Sequence, residues 1–339
     1  MNPKARPSIQ DVARLAGVSL GTVSNVLNNP DMVKPATAEK VLRAIEQLGF
    51  VRNDAARQLK AGKSRTLGMV VYDTANPFFA EVTRSAENAA AERSYSVLVG
   101  NSDHKHQREK QYLQLFDQQR VAGVLVSPTS DIYEQIDELR LHGTQTVVLD
   151  RQADSGRCCS VSVDDFAGGR IAVEHLLAAG RRRIGFVGNL SMQQVSDRLA
   201  GAMAAVNDFG GGAQLLIFES EDMSVLAGRA VGHEVLAKPK GDRPDAIFAS
   251  NDLLAMGLVQ AFMFNSAIAI PQEIALIGYD DIDFAQSAVV PLSSIRQPSK
   301  LLGETAVELL LDEVDNPGEH THRQVRFQPE LVVRTSTSG

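Results

Sequence analysis

Tryptophan is absent from this 339-residue sequence, and cysteine occurs only as the adjacent pair Cys158 and Cys159. Adjacent cysteines rarely bridge to each other, so no disulfide is expected, and two thiols are too few for a structural zinc site. No apolar run approaches the roughly 20 residues that a membrane-spanning helix needs. Met1 to Pro7 is polar and basic with no apolar leader core after it, so a cytoplasmic location without a membrane partner is expected. A Gly-rich phosphate loop, a zinc-hydrolase motif and a nucleophile elbow are also missing. Asp280 and Asp281 form a carboxylate pair, but neighbours on one loop do not flank one scissile bond. No enzyme, cofactor or metal is predicted, and Asp280, Asp281 and Asp283 are read as surface acids or caps.

What is present is ordinary soluble-protein composition, 44% hydrophobic and 22% charged, in a chain long enough for two or three domains. The net charge of -7 conceals an asymmetry: residues 1–65 carry +6 and the remainder -13. A basic head on an acidic body points to a polyanionic partner for the head alone.

The head reads as three short helices. Ser8 is placed to cap the first, with Asp11 in the position of a capping-box acid, and Ile9, Val12, Ala13 and Ala16 fall at helical spacing. Gly17 suits a left-handed turn. Ser19 caps a second helix, Leu20 to Leu27, with Val23, Val26 and Leu27 inward and Leu20, Gly21, Thr22, Ser24 and Asn25 outward. A third helix spans about Ala36 to Leu48 and stops at Gly49. Helices joined by a tight Gly turn make a helix-turn-helix.

The run Asp11-Val12-Ala13 … Ala16-Gly17-Val18-Ser19 … Thr22-Val23-Ser24-Asn25-Val26-Leu27-Asn28 resembles the head of the LacI/GalR family of transcriptional regulators. That resemblance implies a second helix lying in the major groove of operator DNA. It assigns base reading to Leu20, Gly21 and Asn25, the Asn amide matching adenine, and phosphate contacts to Ser8, Ser19, Thr22 and Ser24. It also makes residues 53–65 a hinge that becomes helical on the operator. There Leu59 wedges into the minor groove, and Arg57, Lys60, Lys63 and Arg65 attract phosphates. Gly21 offers only backbone, so direct base readout is expected to be sparse.

From Thr66 the pattern changes to alternating strands and helices, which predicts parallel sheets. The expected strands are Leu67–Tyr72, Ser96–Val99, Gly123–Val126, Thr146–Leu149, Arg183–Val187, Leu215–Phe218, Ala246–Ala249 and Ile274–Gly278, too many units for one sheet. Ligands in such folds bind beyond the carboxyl ends of the strands. The polar residues there are Asp73 and Asn76, then Asn101 to Asp103, Asp150 and Arg151, Arg198, Asn251, Asp280 and Gln297. Carboxylates, amides and guanidinium grip vicinal hydroxyls bidentately, and Phe78 or Phe79 offers a sugar ring an apolar face. Each has a plainer reading: Asn251 caps a helix, Asp73 caps a turn, Phe78 and Phe79 are core.

Together these residues resemble the two-lobed periplasmic sugar-binding fold that serves as the LacI/GalR body, over about residues 8 to 335. The expected architecture is a small all-α head (1–52), a hinge (53–65) and an α/β body of two parallel-sheet lobes (66–339). The set Asn76, Phe78, Phe79, Asp150, Arg151, Arg198, Asn251, Asp280 and Gln297 looks most like a ribose-type site. Leu190–Val195 departs from purine-responsive relatives, and the aromatic that closes the second lobe is not evident, Phe218 being the nearest candidate. A sugar-responsive repressor binding a near-palindromic operator as a homodimer is the expectation. A purine or nucleoside corepressor remains open. A secreted sugar-binding protein is disfavoured by the missing leader and the DNA head, and no heptad tail supports a coiled-coil tetramer.

Overall fold

The computed structural model describes residues 7–50, 64–154, 156–265 and 268–338. It divides into two compact units, Met1–Ser64 and Arg65–Gly339. The hinge residues Arg57, Leu59, Lys60 and Lys63 lie outside the described residues.

In the first unit, α1 (Ile9–Ala16), α2 (Leu20–Asn28) and α3 (Pro35–Leu48) enclose a small core of Val12, Ala13, Val23, Val26, Val41 and Ala44. Each end is set by local chemistry. The Ser8 Oγ accepts from Asp11 N, and Asp11 Oδ2 accepts from Ser8 N at 2.9 Å, completing the capping box. Gly17 (φ 66°) and Gly49 (φ 60°) take left-handed C-caps, which spares the Cβ clash any other residue would meet.

The second unit holds two six-stranded sheets. The first contains β1 (Thr66–Val71), β2 (Ser96–Asn101), β3 (Gly123–Val126), β4 (Gln145–Leu149), β5 (Cys159–Val163) and β11 (Gln324–Phe327), ordered β11-β5-β4-β3-β1-β2. The second contains β6 (Arg183–Gly188), β7 (Gln214–Glu219), β8 (Ala246–Ala249), β9 (Ala275–Asp280), β10 (Ser293–Arg296) and β12 (Glu330–Val332), ordered β12-β10-β9-β8-β6-β7. Every pairing is parallel except β10 with β12. The central strands are buried on both faces because helices cover both sides. These are α4 (Pro77–Glu92), α5 (His106–Gln118) and α6 (Tyr133–Leu141), α7 (Asp165–Ala178), α8 (Gln193–Phe209), α9 (Val225–Ala237), α10 (Asp252–Asn265), α11 (Asp283–Ser287) and α12 (Ser299–Asp315).

The chain crosses between lobes after β5, at Gln297-Pro298 and after β11, so α12 returns to pack on α4 in the first lobe. Strands β5, β10, β11 and β12 are absent from the sequence-based list. Their runs Ser160-Val161-Ser162-Val163 and Ser293-Ser294-Ile295-Arg296 are short and half polar. They are strands because the sheet beside them supplies their partners, an instance of tertiary context overriding local pattern. In both lobes the strand order reverses next to the first strand, and the carboxyl ends beyond that switch are where this fold places ligands.

Candidate functional site

The head presents its α2 surface as expected: Leu20, Gly21 and Asn25 are exposed, while Thr22 and Ser24 are half-buried. Several hydroxyls have intramolecular partners. Ser8 donates to Asp11 Oδ2 at 2.6 Å, Ser19 Oγ accepts from Thr22 N at 3.1 Å, and Ser24 Oγ accepts from Asn28 Nδ2 at 3.2 Å. Each pairing secures a helix end before any DNA is met. Arg65, expected to attract phosphates, has partners within the second unit. Its guanidinium donates to Arg93 O at 3.2 Å and lies over the Tyr95 ring.

In the body, a pocket lies between the lobes and is lined by nine of the ten predicted effector residues: Asp73, Asn76, Phe78, Phe79, Asp150, Arg198, Asn251, Asp280 and Gln297. Arg151 is the exception. Asp150 has φ 59°, which turns the chain so that Arg151 leaves the cavity and donates to Ser130 O at 3.0 Å. Phe218 does not close the site either; it is 3% exposed within the core. The second lobe contributes Met192, Gln194, Val195 and Met223 instead, and the first lobe adds His104.

The plainer readings hold alongside the functional ones. Asn251 Oδ1 accepts from Leu254 N at 2.8 Å and caps α10, while its Nδ2 donates to Met223 O. Asp73 Oδ1 accepts from Ala75 N in a turn, and Asn76 Oδ1 caps α4 through Phe78 N at 3.0 Å. Phe78 and Phe79 are core residues packed edge to face, and both border the cavity. His104 stacks on Tyr72, and burial lowers its pKa, so its ring is neutral.

One cation organises the second-lobe wall. Arg198 Nε donates to Asp165 Oδ1 at 2.7 Å, its Nη1 donates to Ser250 O at 2.6 Å, and its guanidinium lies 3.6 Å from the Tyr279 ring centre. Tyr279 OH donates to the same Asp165 oxygen at 3.0 Å. Those bonds leave other guanidinium N–H groups to meet a ligand. Across the cleft, Gln194 Nε2 reaches Asp150 Oδ2 (3.0 Å), Asp150 O (2.9 Å) and Tyr72 OH (2.8 Å), tying α8 to the first lobe.

Acids outnumber that cation. Burial pushes Asp150 well above the usual carboxylate range, with the Asp165 charge adding to the rise. Burial lifts Asp280 to about 6 against the pull of Arg198, and Gln297 Nε2 donates to its Oδ1 at 2.7 Å. Asp150 and Asp280 both hold positive φ, 59° and 102°, a strain that concentrates at functional sites. Asp150 Oδ1 and Gln297 Oε1 are buried acceptors with no protein partner. Asp281 is not a surface acid: Arg296 and Arg334 pair with it at 2.8 and 2.6 Å, while Asp283 is exposed.

A three-helix head whose second helix is exposed, on a chain whose body closes two parallel-sheet lobes over a polar cavity, defines a ligand-controlled DNA-binding regulator. Comparison with known proteins agrees. Residues 8–53 match the bacterial regulatory proteins of the lacI family, and residues 173–337 match the periplasmic binding protein-like domain. The HTH-type transcriptional repressor PurR of Aliivibrio fischeri (strain ATCC 700601 / ES114) is 34% identical, covering 98% of each chain. The ribose operon repressor of Escherichia coli is 34% identical over 97% of this chain and 99% of that one. The lac repressor dimer bound to operator superimposes with a TM-score of 0.83 at 26% identity over 99% and 100% of the two chains. A LacI family regulator from Enterococcus faecium with bound ribose gives 0.73 at 28% over 80% and 98%. The chain belongs to the LacI family of bacterial transcriptional regulators. Its relatives are repressors, not enzymes, and among the described residues no helix is long and apolar enough to cross a membrane.

Proposed function

We propose that this repressor answers to a compact neutral polyol of the pentose class, bound by Asp150, Arg198, Asp280 and Gln297 with Phe78 and Phe79 against the ring. The carrying observation is the pair of buried polar atoms, Asp150 Oδ1 and Gln297 Oε1, that have no protein partner. An unpartnered buried polar atom costs about 1–3 kcal/mol, and a ligand rich in hydroxyls, which both donate and accept, removes that cost at both atoms. The excess of carboxylates over one guanidinium opposes phosphorylated sugars. The ribose bound to the Enterococcus faecium relative and the ribose operon repressor support the same reading. A purine is the second reading, favoured by the PurR relatives. A thermal-shift series on the protein separates the two: D-ribose raises the melting temperature by mass action, whereas hypoxanthine and guanine leave it unchanged. The reverse pattern overturns the proposal.

Domain roles follow the family plan: 1–52 as the DNA-reading head, 53–65 as the hinge carrying Leu59, and 66–339 as the effector body of a cytoplasmic homodimer on a near-palindromic operator. Leu20, Gly21 and Asn25 read bases, while Ser8, Ser19, Thr22, Ser24, Arg57 and Lys60 hold phosphates. Exposed apolar residues on the edge strands, Leu98, Val99 and Ile217, give the dimer its faces.

The site also predicts a pH response. A hydroxyl donates to an ionised carboxylate, so a proton on Asp280 competes with ligand. Because the Asp280 pKa is raised to about 6, its ionised form opposes folding above that pH, and ligand hydroxyls recover the cost. Affinity is therefore expected to be full at pH 7.5 and to fall as pH drops through 6, by up to about tenfold per unit for one competing proton. Calorimetric titration from pH 5 to 8 reads this directly. The step near pH 6 disappears in Asp280→Asn; a step that persists there assigns the titration to another group.

A further inference from the structure

The two cysteines are too few for zinc if thiols alone are counted, but the fold brings other ligands to one of them. Cys159 opens β5, Glu313 lies in the last turn of α12, and His320 and His322 lie between α12 and β11. The parallel pairing of β11 with β5 joins these segments, Cys159 and His320 lying 161 residues apart in sequence. We propose that Cys159, Glu313, His320 and His322 form a binding site for one divalent, borderline-soft transition-metal ion of the zinc class, separate from the effector cavity.

The geometry is near that of a tetrahedral site. Cys159 Sγ lies 3.1 Å from His320 Nε2. Glu313 Oε2 lies 4.0 Å from His320 Nε2 and 3.9 Å from His322 Nδ1, and all four ligand atoms fall within 4.8 Å of one another. Ligands bonded to zinc at about 2.0–2.3 Å stand roughly 3.3–3.8 Å apart in a tetrahedron, so a contraction of about an ångström at most closes the shell.

Two of these atoms have no other use. Glu313 Oε2 and His322 Nδ1 are buried without a hydrogen-bond partner, and Glu313 is only 5% exposed. Native proteins rarely leave such groups orphaned, and one metal ion satisfies both. The outer layer is arranged to suit. His320 Nδ1 lies 2.8 Å from Asp312 Oδ2. A carboxylate only accepts, so Nδ1 carries the hydrogen and the Nε2 lone pair faces the cluster, the carboxylate–histidine arrangement that orients metal ligands. Arg323 N donates to Cys159 Sγ at 3.2 Å.

Charge closes as well. One thiolate and one carboxylate offset a divalent cation, so the filled site buries no net charge. The mixed S, N and O donor set selects zinc over magnesium or calcium. His322 is 20% exposed and leaves a way in. Cys158, one residue earlier, points to the opposite face of the sheet into a different core, so the two thiols are chemically separate. Binding would fasten β5 to β11 at the ends remote from Asp164, which Arg326 of β11 already pairs with at 2.6 Å.

The test uses full-length protein, reduced and stripped with chelator, titrated with Co²⁺. One ion per chain should bind, with the strong visible bands of a four-coordinate site and a sulfur-to-cobalt charge-transfer band, and Zn²⁺ should displace it. Cys159→Ser should abolish the charge-transfer band. His320→Ala and His322→Ala should each weaken Zn²⁺ binding at least 100-fold, measured against a chromophoric chelator. Asp312→Asn, at a positioning residue, should weaken it about 10- to 100-fold, and Cys158→Ala should change nothing. Far-UV circular dichroism checks the fold of each variant; if Cys159→Ser does not fold, the partly exposed His322→Ala carries the test. Absence of stoichiometric uptake overturns the proposal. So does uptake whose spectrum and affinity survive in Cys159→Ser and His322→Ala, or an equal loss in Cys158→Ala.

Discussion

Replacing Arg198 by alanine is expected to destabilise the protein by about 3–5 kcal/mol and to abolish effector binding. The guanidinium is 5% exposed and is held by Asp165, the Ser250 carbonyl and the Tyr279 ring. Removing it strands the Asp165 carboxylate in the interior with only the Tyr279 hydroxyl as donor, and breaking a buried pair from one side costs that much. Urea denaturation reads the first effect and calorimetry with D-ribose the second. A second variant separates them. Arg198→Met combined with Asp165→Leu removes both charges and keeps apolar volume, a change that is often neutral for stability. The double variant should recover most of the lost stability and none of the binding. If it recovers binding as well, Arg198 supports the wall without touching the ligand.

Gly169→Ala should be nearly as damaging, for a reason unconnected with charge. Helices α7 and α8 cross so closely that a Cβ on Gly169 would fall 1.9 Å from the backbone oxygen of Arg198, and one on Gly201 would fall 1.9 Å from that of Phe166. Backbone does not step aside as a side chain does, so the helices must separate. Overpacking of this kind costs about 1–3 kcal/mol, here at the upper end, and outweighs the gain of about 1 kcal/mol from replacing a helical glycine with alanine. Because the contact is Arg198 itself, the shift also moves the guanidinium. Effector affinity should fall at least tenfold even where the protein remains folded. Chemical denaturation and calorimetry on the same preparation check both effects, and wild-type values on either would show that the seam has slack.

The parts of this molecule that were legible in sequence are those whose cause is local. The caps at Ser8, Ser19 and Gly17 depend on residues at most four positions away, and the polar residues after β1, β4 and β8 and at the end of β9 stand where any parallel sheet sends its ligands. What local pattern missed depends on distant approach. Gln194 functions because α8 comes within hydrogen-bond reach of Asp150 from the other lobe, and nothing in Ser191-Met192-Gln193-Gln194 announces it. His104 follows the noted Asn101–Asp103 by one residue and enters the cavity through positive φ at both 103 and 104. Arg151 was misplaced for the converse reason, a left-handed turn at a non-glycine residue that composition does not disclose. The proposed metal site is invisible to a cysteine count because three of its four ligands are not cysteines and reach Cys159 through the β5–β11 pairing.

The Gln194 bridge has a bearing on dose. Its bonds to Tyr72 and Asp150 join the lobes through protein groups alone, so they stabilise the closed body whatever occupies the cavity. A ligand then needs to supply only the remaining difference between open and closed forms. Strengthening or weakening that bridge is expected to move the concentration at which the regulator responds, while the proposed ligand contacts of Arg198, Asp280 and Gln297 stay in place. On the proposed reading, sensitivity and selectivity meet at Asp150, which Gln194 holds from the other lobe, while Gln194 itself offers a handle on the first.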